Sequence, residues 1–236
     1  MRQVRGDQQI SRSWIVAGQQ TAGRGRLGRP WISEPGNLFA SVVLTNETQP
    51  ALAAQLGFVS GVALVEALGP LLPDAKKPRL KWPNDVLCDG AKIAGILLEG
   101  SVLPSGVFAC VIGCGVNCDS HPDNTGYAAT DIAALGVEVS PAAVFSALSD
   151  RFAHWFDIWR TADGFARVRA AWLSHAAHIG QTVRIVQSGG AVEGVFETLD
   201  EQGRLLLRSA AGLQIIDTGD VMLSSRNTSE KAGQQT

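Results

Sequence analysis

The sequence predicts an α+β fold, a mixed β-sheet packed with helices and followed by a small all-β domain. Three observations carry that prediction. Leu52, Leu56, Val59, Ala63 and Leu64 form one apolar stripe at helical spacing across 51–68. Val86-Leu87-Cys88 and the run from Lys92 to Leu98 flank Asp89-Gly90, a dipeptide suited to a two-residue type I′ hairpin because both turn positions need positive φ. Beyond Ile179-Gly180, short strand-like segments recur at close spacing between glycine turns.

In chain order, 14–19 and 38–44 read as strands flanking a loop rich in glycine and arginine. The helix over 51–68 covers the sheet. Residues 79–82, the hairpin, and 107–113 supply further strands, and 131–135 is a short helix at most. Pro141 to Arg160 opens with Ser140 as N-cap and Pro141 at the first helical position, where a missing N–H is harmless. Its Val144, Leu148, Phe152, Trp155, Phe156 and Trp159 read as a bulky core face rather than a cofactor-stacking surface. Phe165 to His175 makes one more helix. The late strands fall at 182–186, 191–199, 204–208, 213–217 and 221–223. This gives a larger domain over 1–178, a small β-domain over 179–226, and a polar tail, 227–236, expected to be disordered.

At 236 residues and 45% hydrophobic, the chain can bury a full core. A formal net charge of −2 gives no overall pull toward nucleic acid. The charge is uneven, however. Arg2, Arg5, Arg12, Arg24, Arg26 and Arg29 face a single acid, Asp7, within the first thirty residues, which marks a local anion-binding face. No apolar run of about 18 residues exists and no signal pattern opens the chain, so the expectation is a cytoplasmic protein without a membrane partner. Cys110, Cys114 and Cys118 recur every four residues, but on a strand running into a glycine turn such thiols do not converge, and they read as buried. His175 and His178 lack a third ligand. No metal site held by protein ligands alone is expected.

Two cationic motifs carry the chemistry. Lys81-Trp82-Pro83-Asn84-Asp85 leads into the hairpin, and Lys92 returns on its second strand. Lysines on rigid strands beside a carboxylate suit a site that handles phosphate and carboxylate charge together. Upstream, Gly23-Arg24-Gly25-Arg26-Leu27-Gly28 fits the dinucleotide fingerprint G-x-G-x-x-G literally, but Pro30 and Pro35-Gly36 break any following helix. Three arginines in six positions instead suit a loop that wraps anions with guanidinium forks, while its glycines supply backbone freedom.

Taken in order, these segments resemble the biotin–protein ligases, which biotinylate carboxylase carrier domains. Gln20 with Gly23-Arg24-Gly25-Arg26-x-Gly28-Arg29-x-Trp31 is similar to that family's adenylate-binding loop, and Ser33-x-x-Gly36-Asn37-Leu38-x-x-Ser41 to the strand after it. Lys81 to Asp85, Lys92 to Glu99, and Gly113-x-Gly115-Val116-Asn117 match further elements of the pattern. The resemblance covers most of the chain. It implies a class II aminoacyl-tRNA synthetase-like catalytic fold with an SH3-like C-terminal barrel.

It also implies a two-step reaction with biotin and ATP, magnesium arriving with the nucleotide. Biotinyl-adenylate forms first, and biotin then passes to a lysine of a biotin carboxyl carrier protein. By this resemblance Lys92 contacts the biotin carboxylate and then the phosphate; Arg24 and Arg26 bind phosphate and close the loop, whose Gly23 and Gly25 line the intermediate. Gln20 lies along biotin, Trp31 forms an apolar lid, Lys81 and Asn84 flank the nucleotide or pyrophosphate, and Gly115 and Asn117 lie at the nucleotide, Asn117 near the adenine. Asp85 has two readings, a Mg²⁺ contact or the group that orients the incoming lysine amine.

Two departures from the family pattern stand out. Leu27 replaces an arginine common in the loop. The family's Ser-Thr-Asn segment and following helix, which contribute to the biotin pocket, have no counterpart in Met1 to Gln9; the expectation is a start assigned too far downstream. A winged helix-turn-helix needs roughly 55 residues, so no DNA partner is expected. Self-association as a homodimer stays open. A lipoate or octanoyl transferase and a non-catalytic biotinyl-adenylate binding module are the alternatives, with RNA binding by the arginine loop the weakest, since only Trp31 interleaves with those arginines.

Overall fold

The computed structural model describes residues 12–123 and 125–224. The expectations for Met1 to Gln9 and for the tail from Asn227 fall outside the described residues. The chain divides into two units, one running through Ala177 and taking in Glu201–Gly203, the other built from His178–Asp200 and the chain from Arg204.

The first unit holds a six-stranded sheet in the order β1-β2-β6-β5-β4-β3. Its strands are β1 (Ser13–Ala17), β2 (Leu38–Thr45), β3 (Arg79–Lys81), β4 (Asp85–Cys88), β5 (Ala91–Val102) and β6 (Phe108–Val116). Every ladder is antiparallel, and the parallel contacts are isolated bridges at Leu80–Ala176 and Lys92–Ala129. The β4–β5 hairpin closes with Cys88 opposite Ala91, and Asp89 and Gly90 sit at φ 50 and 79, as a type I′ turn demands.

Helix α1 (Gln55–Leu68) packs against α2 (Pro141–Trp159), α3 (Gly164–His175) and strands β3 to β6. Being covered by sheet and helices together, it is buried almost all round rather than along one stripe. It starts later than the spacing predicts. Pro50–Leu52 forms a separate 3₁₀ turn, with Leu52 N–H and Ala53 N–H donating back to Gln49 and Pro50, and Leu52 stays exposed. Helix α2 is capped by Ser140, whose hydroxyl accepts from Ala143 N–H at 3.2 Å. Its Val144, Leu148, Phe152, Phe156 and Trp159 are buried, while Trp155 is half-buried and donates its indole N–H to Glu66 at 2.9 Å.

Side-chain alternation decides which sheet residues face away from the helices. Leu98 meets α1 at Gly57, so Gly95, Leu97 and Glu99 point to the opposite face. A single rung crosses all six strands on that face: Ala17, Phe39, Gly115, Gly95, Asp85 and Lys81 lie directly opposite one another in turn.

The second unit is a five-stranded antiparallel sheet, ordered β10-β9-β8-β7-β11, with the small-barrel character of an SH3-like domain. Its strands are β7 (Thr182–Gln187), β8 (Gly190–Leu199), β9 (Leu205–Ser209), β10 (Gly212–Ile216) and β11 (Asp220–Leu223). Val183, Ile185, Phe196, Leu199, Leu205, Leu207, Ile216 and Val221 are buried as its core.

Candidate active site

The arginine loop closes on itself before it meets anything else. Trp31 N–H donates to Gly23 C=O at 3.0 Å, Gly25 N–H donates to Arg29 C=O at 2.7 Å, and Arg24 bridges to Pro30. The tip turns through Leu27 and Gly28 at φ 56 and 74, and only a one-turn 3₁₀ segment forms there, Arg26–Gly28. At the loop's neck a side chain on Gly23 would collide with Trp31 C=O at 2.4 Å and Ser33 Oγ at 2.7 Å. Gln20 also belongs to this neck, its Oε1 accepting from Ser33 Oγ at 3.1 Å.

The loop lies over the hairpin. An Arg24 guanidinium nitrogen is 2.9 Å from Glu99 on β5. An Arg26 nitrogen donates to Asn84 Oδ1 at 3.3 Å, and Asn84 Nδ2 donates to Ile96 C=O at 2.7 Å. The Trp31 indole rests on the sheet where Gly95 and Gly115 pair. A Cβ on Gly115 would stand 2.6 Å from Trp31 Cε2 and Cζ2, and one on Gly95 2.9 Å from Cζ3. Two opposed glycines therefore make a bare floor for a flat ring. The indole N–H is buried there with no hydrogen-bond partner among the described residues.

Lys92 sits beneath this lid. Its Nζ is 2.6 Å from Asp85 Oδ1, and Lys81 Nζ is 3.8 Å from the other oxygen of the same carboxylate. The Lys92 ammonium also lies 5.2 Å from the ring centres of both Trp31 and Tyr127, within cation–π range. Asp85 thus faces two ammonium groups. Among the described residues no three His, Cys, Asp or Glu side chains come together as a metal site.

Asn117 is buried, and its Nδ2 donates to Thr130 C=O at 3.0 Å, so part of its carboxamide is engaged within the protein. Cys110, Cys114 and Cys118 are buried free thiols, and burial pushes them up to about 11, 12 and 11. Sequence reasoning assigned no role to Tyr127, Glu99, Gly95 or Asn37. Gly95, Glu99 and Asn37 stand in motif segments but reveal their partners only in the sheet; Tyr127, the chain's one tyrosine, carries no local signal.

Residues 2–117 match the Biotin/lipoate A/B protein ligase family, and residues 178–224 match the Biotin protein ligase C terminal domain. The chain is 40% identical over 216 residues to a biotin–[acetyl-CoA-carboxylase] ligase of Paracoccus denitrificans, covering 89% of each. The chain belongs to the biotin–protein ligase family. Within that family, it is 30% identical to the bifunctional ligase/repressor BirA of Escherichia coli, spanning 89% of this chain and 66% of that one. The biotin protein ligase of Aquifex aeolicus in complex with biotin and ATP superposes with a TM-score of 0.80 at 26% identity, covering 94% of this chain and 93% of that one. No helix among the described residues is long and apolar enough to cross a membrane.

Proposed function

We propose that this chain is an ATP-dependent ligase that makes biotinyl-5′-adenylate and passes biotin to a lysine of a biotin carboxyl carrier domain. The observation that carries this reading is the convergence of the two cationic motifs. Arg24 and Arg26 reach Glu99 and Asn84 of the hairpin segment, and Trp31 closes over Lys92.

The chemistry needs such a cluster. In the first step a carboxylate oxygen of biotin attacks the α-phosphorus of ATP, an O–P bond forms, and the bond to pyrophosphate breaks. Two anions must approach each other, and fixed cations offset that repulsion in a site shielded from water. Lys92 serves the carboxylate and then the bridging phosphate; Arg24 and Arg26 exchange their present partners for phosphate oxygens; Lys81 and Asn84 flank the leaving pyrophosphate. In the second step a carrier lysine amine attacks the acyl carbon, AMP leaves, and the amine gives up a proton. Asp85, already held between two ammonium groups, is the carboxylate placed to orient that incoming amine. Gln20 and the Gly23–Gly25 backbone line biotin, and Gly115 and Asn117 line the nucleotide.

Magnesium enters with the triphosphate, whose oxygens and water supply most of its coordination. The site works inside the cytoplasm, where ATP and unmodified carrier coexist.

The test incubates the full chain with ATP, Mg²⁺, biotin and a carrier domain and reads carrier-bound biotin by mass. Biotin-dependent ATP–pyrophosphate exchange and carrier labelling are expected. Exchange dependent on lipoate or octanoate instead would assign the other branch of the matched family, and adenylate binding without carrier labelling would reduce the chain to a binding module.

A further inference from the structure

The Gly36-Asn37-Leu38 segment takes no part in the site described above, yet Asn37 is 6% exposed and carries five hydrogen bonds. Its Oδ1 accepts from three consecutive backbone N–H groups, Cys118 at 2.8 Å, Asp119 at 3.0 Å and Ser120 at 3.3 Å. Its Nδ2 donates to Ser120 C=O at 2.9 Å and to Ser120 Oγ at 3.3 Å. Gly36, at φ 92, is held so close to Asp119 that a Cβ would stand 2.9 Å from that side chain.

From there a backbone circuit leads to Lys92. β6 ends at Val116, and β5 extends beyond it toward the hairpin turn. Residues 128–130 take the place of β6 along that extension. Lys92 N–H donates to Ala128 C=O at 2.8 Å, and Lys92 C=O accepts from Thr130 N–H at 2.9 Å. The 130–133 segment is itself held by 117–118: Ile132 N–H donates to Asn117 C=O at 3.2 Å and Ala133 N–H to Cys118 C=O at 3.0 Å. Asn117 Nδ2 adds its bond to Thr130 C=O, and the Asp131 carboxylate pairs with His121 at 2.5 Å. Lys92 also lies at a register shift in the β4–β5 ladder, where pairing to β4 is irregular and the 128–130 side must fix the peptide.

We propose that Asn37 is a positioning residue for Lys92, acting through the backbone of 117–120 and 128–133 that grips the Lys92 peptide. The proposal rests on the role of Lys92 in adenylation.

The experiment compares Asn37→Ala and Asn37→Asp, each alone and with Lys92→Ala, by biotin-dependent ATP–pyrophosphate exchange on the full chain. Because a misplacement of about 1 Å can cost about 100-fold, Asn37→Ala should lower kcat by about 10- to 100-fold with KM for biotin within about 3-fold. Asp keeps an oxygen for the three N–H groups but turns its second oxygen onto Ser120 C=O, to which Asn37 donates, so Asn37→Asp should recover only part of the lost rate. On top of Lys92→Ala, Asn37→Ala should change the rate by less than about 2-fold, since residues acting as one unit are not additive. Hydrogen exchange at the Lys92 and Thr130 amides should speed up in Asn37→Ala.

Multiplying losses in the double variant, or unchanged exchange at those two amides, would overturn the role given to Asn37. A Lys92→Ala protein with full exchange activity would instead remove the Lys92 assignment beneath it, and the two failures read differently.

Discussion

Gly115→Ala tests whether Trp31 must lie where it does. The position has no positive φ, so alanine suits the backbone, and the consequence is steric alone. The new Cβ would meet Trp31 at 2.6 Å, whereas carbon atoms in contact sit at about 3.5–4.0 Å, so the ring must retreat by about 1 Å. Trp31 is half-buried on a loop rather than locked in the core, so it moves instead of straining the sheet. The cost in stability should then stay below the 1–3 kcal/mol or so typical of overpacking a rigid core. Lys92, 5.2 Å from that ring, would lose its lid, and a displacement of this size can cost about 100-fold in rate. Gly113→Ala is the internal control. It lies two residues back on the same face of the same strand, and its Cβ would meet nothing closer than 3.7 Å. Exchange assays and thermal melts on both variants check the contrast. Equal exchange rates in the two would refute the steric argument, and so would a Gly115→Ala loss that persists undiminished in a Trp31→Ala background.

Lys92→Ala should lower adenylate formation by about two to three decades, the scale of losing one transition-state charge partner, and full single-turnover adenylation by the variant would end that assignment. With burial pushing Cys110, Cys114 and Cys118 up to about 11, 12 and 11, the folded protein should leave all three unlabelled by a thiol reagent near pH 8 and expose them on denaturation; rapid labelling of any of them in the native state would contradict their placement. Burial also holds His175 below its ordinary value of 6.5, so the unfolded chain takes up its proton more readily than the folded one. Stability from this group is complete above 6.5 and falls as pH drops through the lower folded value. Melting temperatures measured across that range should fall less steeply in His175→Gln, and an unchanged slope would exclude His175 as a source.

The hairpin was legible because Asp89-Gly90 leaves its flanking strands little choice, and the structure gives the same turn. The loop was legible in outline, since Pro30 and Pro35 forbid a helix there. Helix α1 was displaced at its start because apolar spacing ignores what Pro50 does to the turn before it. What local sequence could not supply was the rung of residues across the sheet. Lys81, Asp85, Gly95 and Gly115 come from four strands, and only pairing register brings them into line. Likewise the three N–H groups on Asn37 come from residues more than 80 positions away. Such long-range contacts leave no local period to read.

The charge pattern of the site is balanced from within the protein. Four cations gathered without anions would repel one another, and the repulsion would push the loop off the hairpin. Glu99 answers Arg24, and Asp85 answers Lys92 and Lys81. The two pairings are not equivalent. Arg24 and Glu99 are substantially exposed, at 58% and 29% of their side-chain areas, and an exposed pair of this kind is worth about 0–1 kcal/mol. An arriving phosphate, with more charge and bidentate geometry, can displace Glu99 at little cost. Lys92 and Asp85 are each only 16% exposed, so their pairing is better shielded and breaks less readily. Under the proposed mechanism, the asymmetry suits a loop arginine that changes partners during the cycle beside a lysine that keeps its place. Charge on the loop is therefore held more loosely than charge on the sheet.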